Sequence, residues 1–380
     1  MRRALLAVVA LLAVLAAPVQ ASSGDSTKTA AEPRVAAAAW YLVGEDGAVL
    51  SAHRARQRRA IASITKLMTA VVTLERASPS DVVTVSPRAA GVGEATVYLR
   101  AGERLSVAEV LRATLIRSAN DGAQALAIHV GGSVPRFVAF MNAKAEELGL
   151  TDTSFRNPHG LDAPGHVSSA RDTTLLLRYA LGVPFIRDAL GRTTVTLPGG
   201  RDFTTTDDLL GSWPRMIAGK TGHTREAGWS QAAAAQARGV SVYGTVLGSD
   251  TRAARNGALR SLLEHGLGRY RRVVAIDASR VYAEARTGYG RPDVALVARR
   301  SFARTLRDDL PLVERVVAPS SVVLPVRSGQ TLGRVEVWER NLLVASTNLV
   351  AAEAVTEPGL VGKALWYVRA TADNLWELVT

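Results

Sequence analysis

The first long predicted helix begins with the sequence SITKLMTAVVTLERA, residues 63–77. Leu67 and Val71 recur at helical spacing within this stretch and predict an amphipathic helix. Residues three positions apart lie on one side of a helix, so we expect the Ser63 hydroxyl and the Lys66 amine within reach of each other. The helix dipole at this end favours negative charge developing on the serine.

Lysine is rare in this chain, which has 46 basic residues and only five lysines. A lysine can act as a general base only when it is neutral, which requires its pKa to fall from about 10.4 towards 7. Burial and a second cation nearby would lower the pKa in this way. Arginine stays protonated and could not do this work. We therefore predict that Lys66 is a buried general base.

Two further motifs carry polar groups suited to the same chemistry. Ser118-Ala-Asn120 lies between two predicted helices and offers a hydroxyl that can relay a proton and an amide that can hold a substrate amide. Gly219-Lys-Thr-Gly222 precedes an apolar strand. Placed on an edge strand, its Lys220 would be the second cation and Thr221 would bind a carboxylate, while the glycines allow close approach of a ligand.

In this order and spacing, the three motifs resemble the S-x-x-K, S-x-N and K-T-G set of penicillin-recognising serine enzymes. From residue 35 to residue 267 the chain closely resembles the D-alanyl-D-alanine carboxypeptidases among the low-molecular-mass penicillin-binding proteins. Small departures are Ala119, where the family often has glycine, and Trp229, where it often has tyrosine or another large residue. The stretches that carry the resemblance are 62–70, 118–123, 141–145, 157–161, 168–172, 219–224 and 227–228.

The resemblance implies an α+β fold, and the order of predicted elements, with strands at both ends and helices between them, favours the same class. We expect a five-stranded antiparallel sheet with flanking helices and an all-helical subdomain, followed by a smaller, mostly β C-terminal domain. The predicted boundaries are a signal peptide at 1–21, a flexible leader at 22–34, a serine D,D-peptidase domain at 35–270, a β-rich domain at 271–358 and an amphipathic helix at 363–380.

The resemblance also implies an activity, namely removal of the terminal D-alanine from peptidoglycan stem peptides through an acyl-enzyme, without a cofactor or metal. Ser63 would be the nucleophile, Lys66 its general base and Ser118 the donor of a proton to the leaving amine. β-Lactam antibiotics would be covalent inhibitors. The substrate-binding residues implied are Asn120, Lys220, Thr221, Gly222, His223 and Arg255, with backbone N–H groups of Ser63 and His223 as the oxyanion hole and Arg255 on the terminal carboxylate.

Three other functions compete with this one. A class A β-lactamase shares the motifs but uses a glutamate before K-T-G to activate the deacylating water, and residues 148–225 contain no glutamate. A D,D-endopeptidase would use the same site. A non-enzymatic wall-binding protein would not need a complete motif set. Metal hydrolysis is disfavoured because the six histidines show no metal-binding spacing.

The first 21 residues have the pattern of a secretory signal peptide, with Arg2 and Arg3 before an apolar run and Val19-Gln-Ala21 as the cleavage site. We therefore expect an exported protein in the periplasm or cell wall space, and with export a net charge of +12 does not indicate nucleic acid. The absence of cysteine excludes disulfides and thiolate catalysis. The helix at 363–380 either contacts the outer face of the cytoplasmic membrane or packs on the β domain.

Overall fold

The computed structural model describes residues 12–18 and 33–377, so most of the predicted leader at 22–34 lies outside the described residues. The chain divides into two compact units. The first is Thr29–Arg269, and the second combines Met1–Lys28 with Tyr270–Thr380. Its first described element is strand β1, Leu12–Pro18.

The first unit contains strands and helices in the α+β arrangement that was expected. Its strands are β2 Ala39–Gly44, β3 Val49–His53, β4 Val82–Thr84, β5 Arg104–Ser106, β6 Thr194–Leu197, β7 Arg201–Thr204, β8 Met216–Thr224, β9 Gly228–Ala237 and β10 Val240–Ser249. Its helices are α1 Lys66–Arg76, α2 Pro87–Ala90, α3 Val107–Ile116, α4 Asn120–Gly131, α5 Val134–Glu147, α6 Ala170–Ala180, α7 Pro184–Leu190 and α8 Arg252–Gly268.

A five-stranded antiparallel sheet of order β3-β2-β10-β9-β8 forms the centre of this unit, which confirms the predicted fold class. Helices cover both faces of the sheet. Gly244 of β10 faces Leu262 and Leu263 of α8, whereas the next residue, Thr245, accepts a hydrogen bond from Thr174 of α6. Successive strand residues point to opposite faces, so α6 and α8 lie on opposite sides. The four alanines at 232–235 on β9 are fully buried between these layers.

The predicted helices in the region between the sheet strands are all present within a few residues. Helices α3, α4 and α5 pack on one another and on α1 around Leu111, Leu126 and Phe137, each of which is completely buried. Helix α3 begins at Val107 because Ser106 and Glu109 form a capping box, in which each side chain accepts a hydrogen bond from the other residue's backbone N–H. These helices form the predicted helical subdomain.

The start of the first long helix differs from the prediction. Residues Ala62–Thr65 form a 3₁₀ turn, and the α-helix begins only at Lys66. Ala62 has a φ of +47°, in the left-handed region, so the chain turns sharply just before Ser63. Ser63, the predicted nucleophile, therefore sits on a turn that precedes the helix, although its spacing to Lys66 still places both side chains on one side.

The second unit is mostly β, as expected. Its strands are β11 Tyr270–Ile276, β12 Val281–Ala285, β13 Val294–Ala298, β14 Phe302–Arg307, β15 Leu312–Pro319, β16 Thr331–Glu339 and β17 Leu342–Ala351. A six-stranded sheet has the order β1-β15-β16-β17-β13-β12, and β11 pairs with β14. Leu296, Val335, Val337 and Leu349 are completely buried in its core.

The valine-rich sequence of residues 322–326 predicts a strand, and this prediction is wrong. This segment forms only isolated bridges, between Arg286 and Ser321 and between Val326 and Val355. Pro325 lacks a backbone N–H and cannot extend a ladder of hydrogen bonds, which outweighs the valine-rich composition. Strands β12 and β14 were not predicted.

Strand β1 pairs antiparallel with β15, with Leu12 opposite Pro319 and Pro18 opposite Val313. These seven residues belong to the apolar run of the predicted signal peptide. The pairing describes the uncleaved chain. Cleavage after Ala21 would leave β15 as an edge strand of this sheet.

The C-terminal helix α9 runs from Leu360 to Glu377, three residues earlier at its start than predicted. The spacing of apolar residues predicts Trp366 on the apolar side that would meet a membrane. Instead, Trp366 packs edge-on against Tyr289, with ring centroids 5.5 Å apart. Leu365, Val368 and Trp376 are 66%, 69% and 73% exposed. Within the described residues, no helix combines the length and apolarity needed to cross a bilayer.

Candidate active site

Lys66 is completely buried and its Nζ makes three close contacts. It lies 2.7 Å from Ser63 Oγ, 2.7 Å from Asn120 Oδ1 and 2.7 Å from the backbone oxygen of His159. The Asn120 amide oxygen is oriented towards Lys66 because its Nδ2 donates to Gly93 O. Both oxygens can only accept hydrogen bonds, whereas the Ser63 hydroxyl can also donate one. A neutral Lys66 must therefore turn its lone pair towards Ser63.

Burial lowers the pKa of Lys66 well below its usual value, and repulsion by the nearby Lys220 lowers this pKa further. The carboxylates of Asp121 and Glu94 act in the opposite direction but more weakly. Both conditions expected for a basic lysine, burial and a neighbouring cation, are thus present in the folded chain.

Lys220 links the other two motifs on the opposite side of Ser63. Its buried Nζ donates to Ser118 Oγ at 2.9 Å and to the backbone oxygen of Thr221 at 3.1 Å. Burial lowers the pKa of Lys220 to about 7; attraction by Asp207 opposes this shift and repulsion by Arg255 adds to it. Ser118 has a φ of +66°, a conformation that is unfavourable for serine, at the junction of α3 and α4.

Two glycines allow other parts of the chain to approach the backbone next to Ser63. A Cβ on Gly222 of the edge strand β8 would lie 2.7 Å from Ile61 O. A Cβ on Gly160 would lie 2.0 Å from Ala62 O, and Gly160 has a φ of +92°. Any larger residue at either position would displace the 3₁₀ turn that carries Ser63.

The loop before α6 is tied to the same turn by His166. Its Nδ1 accepts a hydrogen bond from the Arg156 N–H at 3.0 Å, so the proton resides on Nε2, which donates to Thr65 Oγ1 at 2.8 Å. Burial lowers the pKa of His166 to about 4 and keeps the ring neutral. This loop also brings the His159 carbonyl to Lys66. In the sequence, His159 stands out only as part of the stretch 157–161 that carries the resemblance.

A cavity of about 350 Å³ lies over Ser63. Of the predicted site residues, Ser63, Ser118, Thr221, Gly222, His223 and Arg255 line it, together with Ala95, Arg117, Thr204, Thr205, Thr206, Trp229 and Arg252. Lys66 and Lys220 are buried within hydrogen-bond distance of two lining serines, and Asn120 contacts Lys66. The fold therefore gathers all nine predicted site residues in one region.

Arg255 is completely buried beside this cavity although it is strongly charged. Its Nε and Nη2 donate to Asn256 Oδ1 at 3.0 and 2.6 Å, and Nη2 lies 3.4 Å from Asp208 Oδ2. Its guanidinium lies 5.7 Å from the centre of the Trp229 ring, which also stacks on His223. These contacts hold the cation at the cavity wall, where it can meet a carboxylate.

Sequence reasoning missed Thr206 and Asp207, which contact the K-T-G strand. Thr206 Oγ1 lies 2.6 Å from Thr221 Oγ1, and the Asp207 carboxylate occupies the space beside Gly219. Asp207 also accepts a hydrogen bond from Gln231 at 2.7 Å. The polar run TTTDD at 204–208 predicts only a turn. Nothing in its local spacing indicates that it contacts strand β8, which begins eight residues later.

Comparison with known proteins agrees with this geometry. The family described as D-alanyl-D-alanine carboxypeptidase matches residues 26–251. The D-alanyl-D-alanine carboxypeptidase DacD of Salmonella typhimurium is 31% identical over 96% of this chain and 97% of its own. A D-alanyl-D-alanine endopeptidase of Escherichia coli is 32% identical over 60% of this chain and 76% of its own. The structure of penicillin binding protein 5 from Haemophilus influenzae superposes with a TM-score of 0.63, at 28% identity, over 86% of this chain and 99% of that one.

Proposed function

The chain belongs to the D-alanyl-D-alanine carboxypeptidases, penicillin-binding serine hydrolases, and we propose that it removes the terminal D-alanine from peptidoglycan stem peptides through an acyl-enzyme on Ser63. The observation that carries the assignment of Ser63 is its contact with Lys66. The other two contacts of this buried lysine are oxygens that can only accept hydrogen bonds. Among the described residues, the Ser63 hydroxyl is therefore the group that can give a proton to the lone pair of neutral Lys66.

Acylation follows from these contacts. Ser63 Oγ attacks the carbonyl carbon of the scissile bond while its proton passes to neutral Lys66, and backbone N–H groups of Ser63 and His223 bind the oxyanion. The C–N bond then breaks as the Ser118 hydroxyl gives its proton to the leaving amine and takes one from the Lys220 ammonium that donates to it. In the second half of the reaction, water attacks the ester carbonyl and gives its proton back to Lys220 through Ser118. Lys66 returns its proton to Ser63 Oγ as the ester C–O bond breaks.

The free carboxylate of the leaving D-alanine is assigned to Thr221 and Arg255. Both line the cavity that contains Ser63. The Thr221 hydroxyl is oriented by Thr206, and the Arg255 guanidinium is held by Asn256. An arginine offers two parallel N–H donors to a carboxylate, which explains specificity for the end of a peptide.

We expect the mature protein to release the C-terminal alanine from a peptide ending in D-Ala–D-Ala and not from its D-Ala–L-Ala counterpart. Penicillin should form an ester that mass spectrometry of the digested protein locates on the peptide containing Ser63. This adduct should be long-lived because residues 148–225 offer no glutamate to activate water. Release from both peptides alike, or an adduct on another residue, would contradict the proposal.

We further propose that the chain is exported and that α9 binds the outer face of the cytoplasmic membrane peripherally. The signal-like segment at 1–21 supports export, and exposed Leu365, Val368 and Trp376 support membrane contact. The ammonium of Lys363 is paired with Glu357 at 2.6 Å. Binding would therefore rest on apolar burial and depend little on anionic lipid.

Liposome flotation tests the role of α9. We expect the mature protein to float with neutral and anionic vesicles alike, and a chain ending at Gly362 to remain in the soluble fraction. The variant Leu342→Ser removes an equally exposed leucine on β17 and serves as the matched control, which should still float. If the truncated and mature proteins partition equally, α9 is not the anchor.

A further inference from the structure

Arg117 lines the same cavity as Ser63 and Ser118, and nothing in the reaction described so far uses it. It caps the C-terminal end of α3, where its backbone N–H donates to Ala113 O at 3.1 Å. In the sequence, Arg117 directly precedes Ser118, the residue with the unfavourable positive φ. The position of Arg117 is therefore determined by the same helix end that places Ser118.

The guanidinium of Arg117 has no partner within the described part of the chain. Its Nε is buried without an acceptor, and it makes no hydrogen bond or ion pair with any described residue. An unsatisfied buried donor normally carries a free-energy cost, so its retention points to a bound acceptor. The two other arginines of the cavity differ, because Arg252 and Arg255 both contact Asp208.

The cavity as a whole is strongly cationic. Its thirteen lining residues include three arginines and no carboxylate. Asp208 lies beside Arg252 and Arg255, where it offsets part of their charge. Arg117, next to Ser118 in the sequence, has no ion pair with a described carboxylate.

We propose that Arg117 binds a second carboxylate of the substrate, carried by an acidic residue of the acyl part of the peptide. This inference rests on the proposed carboxypeptidase function. The leaving D-alanine has one carboxylate, which is assigned to Thr221 and Arg255, and the methyl side chains of D-Ala–D-Ala carry no charge. A second carboxylate can therefore come only from a residue that precedes the scissile dipeptide.

A carboxylate bound at Arg117 lies away from the bond that breaks, so it contributes to binding in the ground state and the transition state alike. Such uniform binding changes KM more than kcat. Loss of one charge-assisted contact in a partly desolvated site typically lowers kcat/KM about 10-fold.

The test uses two peptides ending in D-Ala–D-Ala that differ only at the residue before this dipeptide, with a side-chain carboxylate in one and its carboxamide in the other. We expect the wild-type mature protein to prefer the acid about 10-fold in kcat/KM, mainly through KM. Arg117→Gln should lose this preference by becoming slower on the acid alone. Arg117→Lys should retain part of it.

The matched control is Arg104→Gln, which removes an exposed arginine of β5 and should leave the preference unchanged. An unaltered preference in Arg117→Gln, or an equal loss on both peptides, would overturn this inference, whereas the proposed carboxypeptidase function of the wild-type protein would still stand. Failure of the wild-type protein to release D-alanine from either peptide would instead refute the proposed function, together with this inference.

Discussion

Lys66→Arg is expected to lower the rate of acylation by penicillin at least about 10³-fold, although the positive charge is retained. The arginine would remain protonated at every pH at which the protein is folded, so no lone pair could accept the Ser63 proton. The longer guanidinium must also fit among Ser63, Asn120 and the His159 carbonyl, which surround Nζ at 2.7 Å. Labelling by a fluorescent penicillin over time measures this rate.

Lys144→Arg is the matched control for this variant. Lys144 is also largely buried, but its Nζ pairs with Glu75 at 2.6 Å and with Glu147 at 2.7 Å. Burial alone would lower the pKa of Lys144, yet these hydrogen bonds outweigh burial and raise it. Because this ammonium acts as a cation, arginine can replace it, and the labelling rate should stay close to that of the wild type. Labelling of Lys66→Arg at the wild-type rate would show that Lys66 is not the base.

The wild-type labelling rate should also rise with pH through the pKa of Lys66. The neutral form is the active base, and the pKa of Lys66 is lowered by burial and by Lys220. The rise should therefore be complete well below pH 10.4, the usual pKa of lysine. A rate that increases only around pH 10.4 would mean that the pKa of Lys66 is not lowered in the folded protein.

Ser63→Ala should abolish both penicillin labelling and D-alanine release, with a loss of at least about 10⁴-fold in kcat. No other hydroxyl lies within hydrogen-bond distance of Lys66 Nζ among the described residues. Alanine removes only one oxygen on a turn that backbone contacts already hold, so the thermal midpoint should change little. Differential scanning fluorimetry checks that the fold is retained.

Ser80→Ala provides the comparison, since Ser80 is exposed on the turn between α1 and β4 and its hydroxyl contacts only Ser78 among described residues. This variant should keep wild-type release of D-alanine. If Ser63→Ala still released D-alanine at the wild-type rate, the nucleophile would have to be another group.

Local patterns predicted much of the fold because they report local physics. Helical periodicity is visible in the sequences of α1, α3, α4, α5, α6 and α8, and the turn-rich stretch 44–47 is typical of a hairpin such as that of β2 and β3. The spacing of Ser63 and Lys66 similarly predicted their contact, because three residues on one helical turn bring two side chains together.

One prediction failed for a local reason, and other contacts were missed because they depend on distant partners. Segment 322–326 has the composition of a strand, but Pro325 prevents a continuous ladder. Asp207 and the carbonyl of His159 contact the site from loops whose sequences indicate only turns. No local rule specifies that Gly160 must lie against Ala62 O, where even a methyl group would not fit.

By itself, the sequence determined which chemical groups are available: one serine and one lysine at helical spacing, an S-x-N junction, a K-T-G strand and very few other lysines. The tertiary structure alone decided their environment. It buries Lys66 beside Lys220, surrounds Nζ with two oxygens that can only accept, and leaves Arg117 without a partner among the described residues. The physical reason is that desolvation and charge–charge interactions depend on distances between residues far apart in the chain, which a linear pattern does not specify.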